Sequence, residues 1–176
     1  MNFEELLAKN KTAVIDKWFG VVVAGYPADT ARFIKSQKDP FSNPVGGTTL
    51  KGLTGLLDEL LGDMNHDKID SFLDPIIRIR AVQNFTPSQA TSSIFSLKQI
   101  VRDSVISNKS GDNLMVAEMS QFDQKIDSLG LIAFDIYMKC REKIFQLKAY
   151  EEKNRTYKVF ERAGLIKEIP DCEPEL

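Results

Sequence analysis

This 176-residue sequence is poor in the residues from which metal and redox centres are built. It contains one histidine, His66, and two cysteines, Cys140 and Cys172, which lie far apart and show no metal-ligand or redox spacing. No apolar run approaches the roughly 18 residues of a membrane span, and the mixed, acidic start of the chain is not typical of a secretory signal. We therefore expect a reduced, cytoplasmic protein with no cofactor, no metal and no membrane segment.

A surplus of charge of either sign is also absent. The formal net charge is -2, which gives no indication of the basic face that nucleic-acid binding requires. A content of 43% hydrophobic and 27% charged residues is typical of a folded domain. We expect one domain over residues 1–169 and a disordered tail over 170–176.

Alternation of period two, which would indicate strands, is not sustained anywhere, whereas apolar residues recur at helical spacing nearly throughout. The pattern predicts an all-α, single-domain bundle of about six helices with a long C-terminal helix. The expected ranges are about 3–25, 28–37, 50–62, 65–84 and 87–108, followed by a long helix whose apolar stripe runs from 115 to 147. The fifth of these begins at a capping box, Thr86-Pro87-Ser88-Gln89.

Prolines and a change of composition predict three irregular places. Residues 38–47, KDPFSNPVGG, are expected to form a loop without a helix. Pro75 predicts a break or kink after Leu73. After Leu147 the sequence becomes charged, and we expect the long helix to protrude or fray there.

Two arginines in the fourth helix are predicted to have different environments. Arg80 continues the apolar rows of Ile76 and Ile77, so its side chain is expected to point into the core. Arg78 lies four residues after Asp74, and an exposed ion pair explains it.

Asp135 is the candidate partner of Arg80. It is the only charge in residues 129–138, which are apolar on nearly all sides and are therefore predicted to be central. Because a buried carboxylate needs a partner, we expect an Arg80–Asp135 pair with Gln83 and Tyr137 as secondary contacts. Three interpretations stay open: a pair that fixes helix register, a polar site that meets a small ligand, or an error of phasing that leaves one residue exposed.

The remaining polar motifs favour structural roles. His66 lies in the polar stretch NHDK rather than on the apolar face that a haem ligand needs. Residues 46–49, GGTT, open a helix but lack the spacing of a P-loop, so a turn with a cap is expected. Cys140 lies on the core stripe, where a packed thiol is expected. No nucleophile with a base, metal shell or cofactor cradle is found, so we expect no enzyme.

Three motifs carry a resemblance to a known family. DPFSNPVG (39–46), IRIRAVQNFTPSQA (77–90) and FDIYMKCREKIFQLKAYEEK (134–153) resemble the RsbRD N-terminal domain, an input domain of co-antagonists in stress-sigma-factor control. The resemblance implies an all-α domain that senses or assembles rather than catalyses, with a globin-like arrangement without haem. It supplies no ligand-contacting residues.

The resemblance also implies a difference from stressosome proteins, whose last helix continues into a STAS output domain. The residues after Lys153 are too few for such a domain, so we expect a stand-alone version that signals through a partner or a dimer interface. The leading hypothesis is a non-enzymatic regulatory or sensory module that binds a protein partner, a second copy or a small ligand. The alternative is a structural accessory subunit that docks through its long C-terminal helix in a larger assembly.

Overall fold

The computed structural model describes residues 3–37, 39, 41–83, 85–106 and 113–165. These residues form seven helices and contain no strand, which confirms the predicted all-α class and the long C-terminal helix. The helices are α1 (Phe3–Lys9), α2 (Lys11–Ala24), α3 (Ala28–Ser36), α4 (Pro44–Leu61), α5 (His66–Val82), α6 (Pro87–Ile106) and α7 (Asn113–Arg162). The tail predicted over 170–176 lies outside the described residues.

The seventh helix arises because the first predicted helix is interrupted at Asn10. The backbone there has φ -98° and ψ 7°, and the side-chain Nδ2 of Asn10 donates to the carbonyl oxygen of Leu6 at 2.8 Å. An asparagine side chain that bonds to nearby backbone competes with the helical ladder. The prediction of a single helix over 3–25 was therefore wrong in this detail.

The prediction that residues 38–47 contain no helix was also wrong, because α4 begins at Pro44. Proline is favoured at the first helical position, where no N–H is needed. Asn43 precedes it and caps the helix, with its side-chain oxygen accepting from the N–H of Gly46 at 2.9 Å.

The break expected after Leu73 because of Pro75 does not occur, since α5 is continuous from His66 to Val82, and the kink expected as its alternative stays a prediction. Proline removes one hydrogen bond from a helix interior. On both sides of Pro75 the helix is anchored by buried side chains, including Leu73 and Ile76. Packing of these residues compensates for the lost bond.

The core is one cluster of apolar side chains to which α1, α2, α4, α5, α6 and α7 contribute. α5 packs against both α4 and α7, and α6 packs against α2 and α7. α4 and α5 approach closely because glycine faces the contact: a Cβ atom on Gly52 would lie 2.7 Å from the carbonyl oxygen of Phe72. Trp18 is fully buried, and its indole N–H donates to the carbonyl oxygen of Ser93 at 2.7 Å.

α7 extends beyond the part of the molecule that packs as a core. Its last buried residue is Tyr137, and the helix continues to Arg162. The helix therefore protrudes after Leu147 rather than ending there, which is one of the two outcomes expected. Among the described residues no helix combines the length and the apolarity that a membrane crossing requires.

Candidate functional site

Arg80 lies at the junction of three helices and is 2% exposed. Its Nη2 donates to the carbonyl oxygen of Val22 on α2 at 2.6 Å. Its Nη1 donates to three oxygens of α6, each at 3.2 Å: the carbonyls of Gln89 and Ala90 and the hydroxyl of Ser93. The guanidinium group thereby joins the end of α2 and the start of α6 to α5.

The charge of Arg80 is balanced by dipoles and aromatic rings. Val22 lies in the last turn of α2, where the helix dipole places partial negative charge. The guanidinium carbon lies 5.9 Å from the ring centre of Tyr26 and 5.3 Å from that of Phe85, within cation–π range. Burial lowers the pKa of Arg80, and Tyr26 acts against this shift. Burial also raises the pKa of Tyr26, so its phenol is neutral at pH 7.

The predicted ion pair between Arg80 and Asp135 was wrong, because the side chain of Asp135 is exposed. The expectation rested on the apolar character of α7 on nearly all sides. Part of that character belongs to an exposed face: Leu131, Phe134 and Met138 are all solvent-accessible. Asp135 lies beside this exposed face. The third interpretation above, an error of helical phasing that leaves one of the two residues exposed, is therefore the one that the structure supports.

The two other predicted residues lie near Arg80 without contacting its guanidinium group in the described structure. Tyr137 is buried, and its hydroxyl donates to the carbonyl oxygen of Phe85, whose ring packs on Arg80. Phe85 therefore connects α7 to the arginine. Gln83 is the C-terminal cap of α5 and is exposed.

Gln83 instead lines a small cavity between α3, the start of α4 and the end of α5. The cavity measures about 170 Å³. Residues 42–45 form one wall, so two of the motifs singled out in the sequence, 39–46 and 77–90, meet here. Tyr26 forms another part of the lining and has its ring next to the guanidinium group of Arg80. The cavity therefore adjoins the buried arginine.

Asn43 builds the wall of this cavity and is 5% exposed. Its Nδ2 donates to the carbonyl oxygens of Ile34 and Gln37, both at 2.8 Å, while its Oδ1 caps α4. The preceding turn is held by Asp39, which accepts from the hydroxyl of Ser42 at 2.6 Å. This bond is the main cause of the lowered pKa of Asp39. Asn43 was not among the predicted site residues, although an Asn-Pro pair is a signal for the start of a helix.

A second, larger concavity lies between α5 and α7. It is an open groove of about 790 Å³ that includes the exposed ion pair of Arg78 and Asp74, with Arg78 Nη2 2.8 Å from Asp74 Oδ1, as predicted. Cys140 is half-buried and lines the same groove. The groove carries both acidic and basic side chains around an apolar floor.

An unpaired apolar face runs along α7 on another side. We call it the outer stripe and define it by four residues with their exposed fractions: Leu131 (68%), Phe134 (44%), Met138 (37%) and Phe145 (57%). Phe95 of α6, 40% exposed, extends the outer stripe, because its ring lies over Gly130. The sequence shows that these residues are apolar, but it did not show that they lie on an exposed side of α7 and not in the core.

The other candidates have structural roles in the described residues. His66 is exposed at the first position of α5. Gly46 and Gly47 belong to the first turn of α4, and the N–H of Gly46 is used by the cap, in agreement with the expected turn. Within the described part of the chain no group of three or more histidine, cysteine or acidic residues is arranged to hold a metal ion.

Comparison with known proteins gives one family match. Residues 12–149, more than three quarters of the chain, match the model described as "RsbT co-antagonist protein rsbRD N-terminal domain". A protein of Archaeoglobus fulgidus, described as uncharacterized, is 32% identical over 81 residues, which cover 46% of this chain and 49% of that protein. The chain thus spans about half the length of this curated relative. No solved structure matches the chain.

Proposed function

The chain belongs to the family of RsbT co-antagonist protein rsbRD N-terminal domains, and from this membership we propose that it is a regulatory input module that acts by binding a protein partner. The family supports a stressosome-related regulatory role. We propose no catalytic activity for the chain. Its single histidine is exposed at a helix start, and its buried arginine is occupied by backbone and hydroxyl oxygens.

The outer stripe of α7 carries this proposal. Leu131, Phe134, Met138 and Phe145 follow one another at steps of three, four and seven residues, which places them on one side of a helix. Contiguous exposed apolar residues of this kind mark interaction surfaces in soluble proteins. Spacing by heptads is the pattern with which helices pair side by side.

We assign a second copy of the chain as the partner at this surface. Exposed residues of both signs, Asp135, Glu142 and Lys153, lie beside the outer stripe along α7, so each copy offers charges that the other can pair with. Continuing along α7, Val159 and Phe160 are also exposed, at 60% and 41%. From residue 131 to residue 160 the helix is about 44 Å long, enough for an interface of ordinary size. Two-fold dimers are the commonest closed assembly.

Sedimentation equilibrium of the full chain tests this assignment. At tens of micromolar the chain is expected to sediment as a dimer. The double variant Leu131→Ser with Phe134→Ser should weaken the dimer by about 100-fold, because central apolar residues dominate interface energies. Both side chains are exposed, so the fold should be retained, which circular dichroism verifies.

The matched control is Phe41→Ser, since Phe41 is 97% exposed but lies outside α7. This control should leave the dimer intact. A wild-type chain that stays monomeric at these concentrations, or a double variant that dimerises as tightly as the wild type, would show that the partner assignment is wrong.

A second candidate is a structural accessory subunit that docks through α7 in a larger assembly. The observation that favours it is the length of α7 beyond Tyr137, in which no described side chain is buried. In this case the partner that binds α7 is a different protein, so the isolated chain is expected to be a monomer. The same sedimentation experiment separates the two.

A further inference from the structure

The cavity beside Arg80 has the size and lining of a site for a small molecule. From its geometry we infer that it binds a neutral, planar ligand of about one substituted aromatic ring, which hydrogen-bonds to Gln83. None of the described residues that line this cavity belongs to the outer stripe, and a small-molecule site here goes beyond the proposed protein-binding function.

The volume limits the size of the ligand. At about 170 Å³ the cavity is close to cavities that hold a single benzene ring, and it is open to solvent on one side. Tyr26 and Phe33 contribute aromatic rings to its lining, and Val45 contributes aliphatic surface. Aromatic rings prefer to pack against other rings in offset or edge-to-face arrangements. The lining therefore favours a flat aromatic group over a branched aliphatic one.

The charge of the lining limits the chemistry of the ligand. The nine described residues that line the cavity are all uncharged. A charged ligand would lose water there without gaining an ionic partner, which is costly. Arg80 cannot serve as that partner, because it is 2% exposed and its guanidinium group already donates to four oxygens.

Gln83 and Thr30 are polar side chains of the lining that remain available for a ligand. Within the described part of the chain neither Gln83 nor Thr30 has a side-chain hydrogen-bond partner. By contrast, Asn43 and Ser42 are already bonded to neighbouring backbone and to Asp39. The amide of Gln83 can donate and accept at once, so it matches a carboxamide or similar group on the ligand.

Titration of the full-length protein with benzamide, followed by ¹H–¹⁵N NMR, tests the inference. Benzamide is neutral and planar and carries a carboxamide. We expect a millimolar dissociation constant, ordinary for a probe of this size, with the largest shifts at Tyr26, Thr30, Val45 and Gln83. Benzoate has the same shape but a negative charge and should bind at least about tenfold more weakly. Cyclohexanecarboxamide keeps the amide without the flat ring and should also bind more weakly.

Two variants locate the site. Gln83→Ala should weaken benzamide binding about fivefold by removing the hydrogen-bonding group. Gln124 is also an exposed glutamine but lies on α7, so Gln124→Ala should leave binding unchanged. Val45→Phe fills the cavity and should abolish binding. The inference is wrong if benzamide does not bind, or if benzoate binds as tightly as benzamide. It is also wrong if Gln83→Ala does not weaken binding, or if the largest shifts lie in the groove around Asp74 and Cys140. None of these outcomes bears on the dimer, which sedimentation tests separately.

Discussion

At the scale of single residues, Arg80 is a buried cation that pairs with no carboxylate among the residues that the structure describes. Its position inside the core follows from periodicity within one helix, so it could be predicted. Its partners could not: Val22 lies 58 residues away in the chain, and its backbone carbonyl carries no residue-specific signal. A local pattern determines which face of a helix is buried, whereas the partner depends on how distant helices pack.

Replacing Arg80 should therefore destabilise the protein strongly. Arg80→Met removes the four hydrogen bonds that join α2 and α6 to α5, and we expect a loss of about 3 kcal/mol in the free energy of unfolding. Arg78→Met is the matched control two residues away on the same helix, since its exposed ion pair contributes less than about 1 kcal/mol. Urea unfolding measures both. Equal losses for the two variants would show that Arg80 is not the structural junction described here.

Asp135 should contribute little to stability. Because its side chain is exposed, Asp135→Asn is expected to change the free energy of unfolding by less than about 0.5 kcal/mol. The Arg80→Met and Asp135→Asn effects should be additive in a double variant, since the two side chains share no contact in the described structure. Urea unfolding of the wild type, the two single variants and the double variant measures the coupling energy between the two residues. A coupling energy above about 1 kcal/mol would indicate that the ion pair predicted from the sequence exists.

At the scale of the helices, local sequence signals predicted a helix start correctly where all residues of the signal favour the same structure. The capping box at residues 86–89 forms as predicted: the N–H of Gln89 donates to the hydroxyl of Thr86 at 3.2 Å, and the N–H of Thr86 donates back to Gln89 at 3.0 Å. The start of α4 was missed because Gly46 and Gly47 favour a loop, while Asn43 and Pro44 favour a helix start. The cap prevailed because Asn43 is also anchored to α3.

The capping box yields a prediction for α6. Thr86→Ala should lower the free energy of unfolding by about 1 kcal/mol, because it removes the acceptor of the Gln89 N–H. The matched control is Thr156→Ala, whose hydroxyl bonds only within α7, to the carbonyl oxygen of Glu152. That substitution should be neutral within about 0.5 kcal/mol, since alanine favours the helix. Thermal unfolding compares them, and a neutral Thr86→Ala variant would contradict the role of the cap.

Two glycines of α4 should respond in opposite ways to alanine. At Gly52 a Cβ atom would lie 2.7 Å from both the carbonyl oxygen of Phe72 and the side chain of Ile76, so Gly52→Ala should push α4 and α5 apart and cost about 2 kcal/mol. At Gly47 nothing lies within 4 Å, and Gly47→Ala should stabilise the helix by about 0.5 kcal/mol. Urea unfolding determines both signs; a Gly52→Ala variant as stable as the wild type would contradict the close approach of these helices.

At the scale of the whole molecule, the fold class was predictable because helical periodicity extends through nearly all of the chain. The arrangement of the helices was not, because periodicity carries no information about which helices are neighbours. The globin-like arrangement implied by the resemblance stays a prediction. For a related reason, the sequence did not show which apolar side of α7 is buried. A helix that is apolar on two sides has the same composition whether its second side packs against the core of the same chain or against another chain.

The distal half of α7 gives the last prediction, which uses the unmodified chain. Residues 148–162 are helical but contain no buried side chain, so in a monomer only the helix itself protects their amides. Isolated helices of this length are marginal in water. Hydrogen exchange of these amides is therefore expected to be fast at a protein concentration of about 1 micromolar. It should be slower at about 100 micromolar, because the higher concentration shifts the equilibrium from monomer to dimer. Amides of the buried residues Leu73, Ile76 and Ile77 in α5 should exchange slowly at both concentrations and serve as the internal control. Distal amides that exchange at the same rate throughout would mean that this part of α7 does not pair with a second copy.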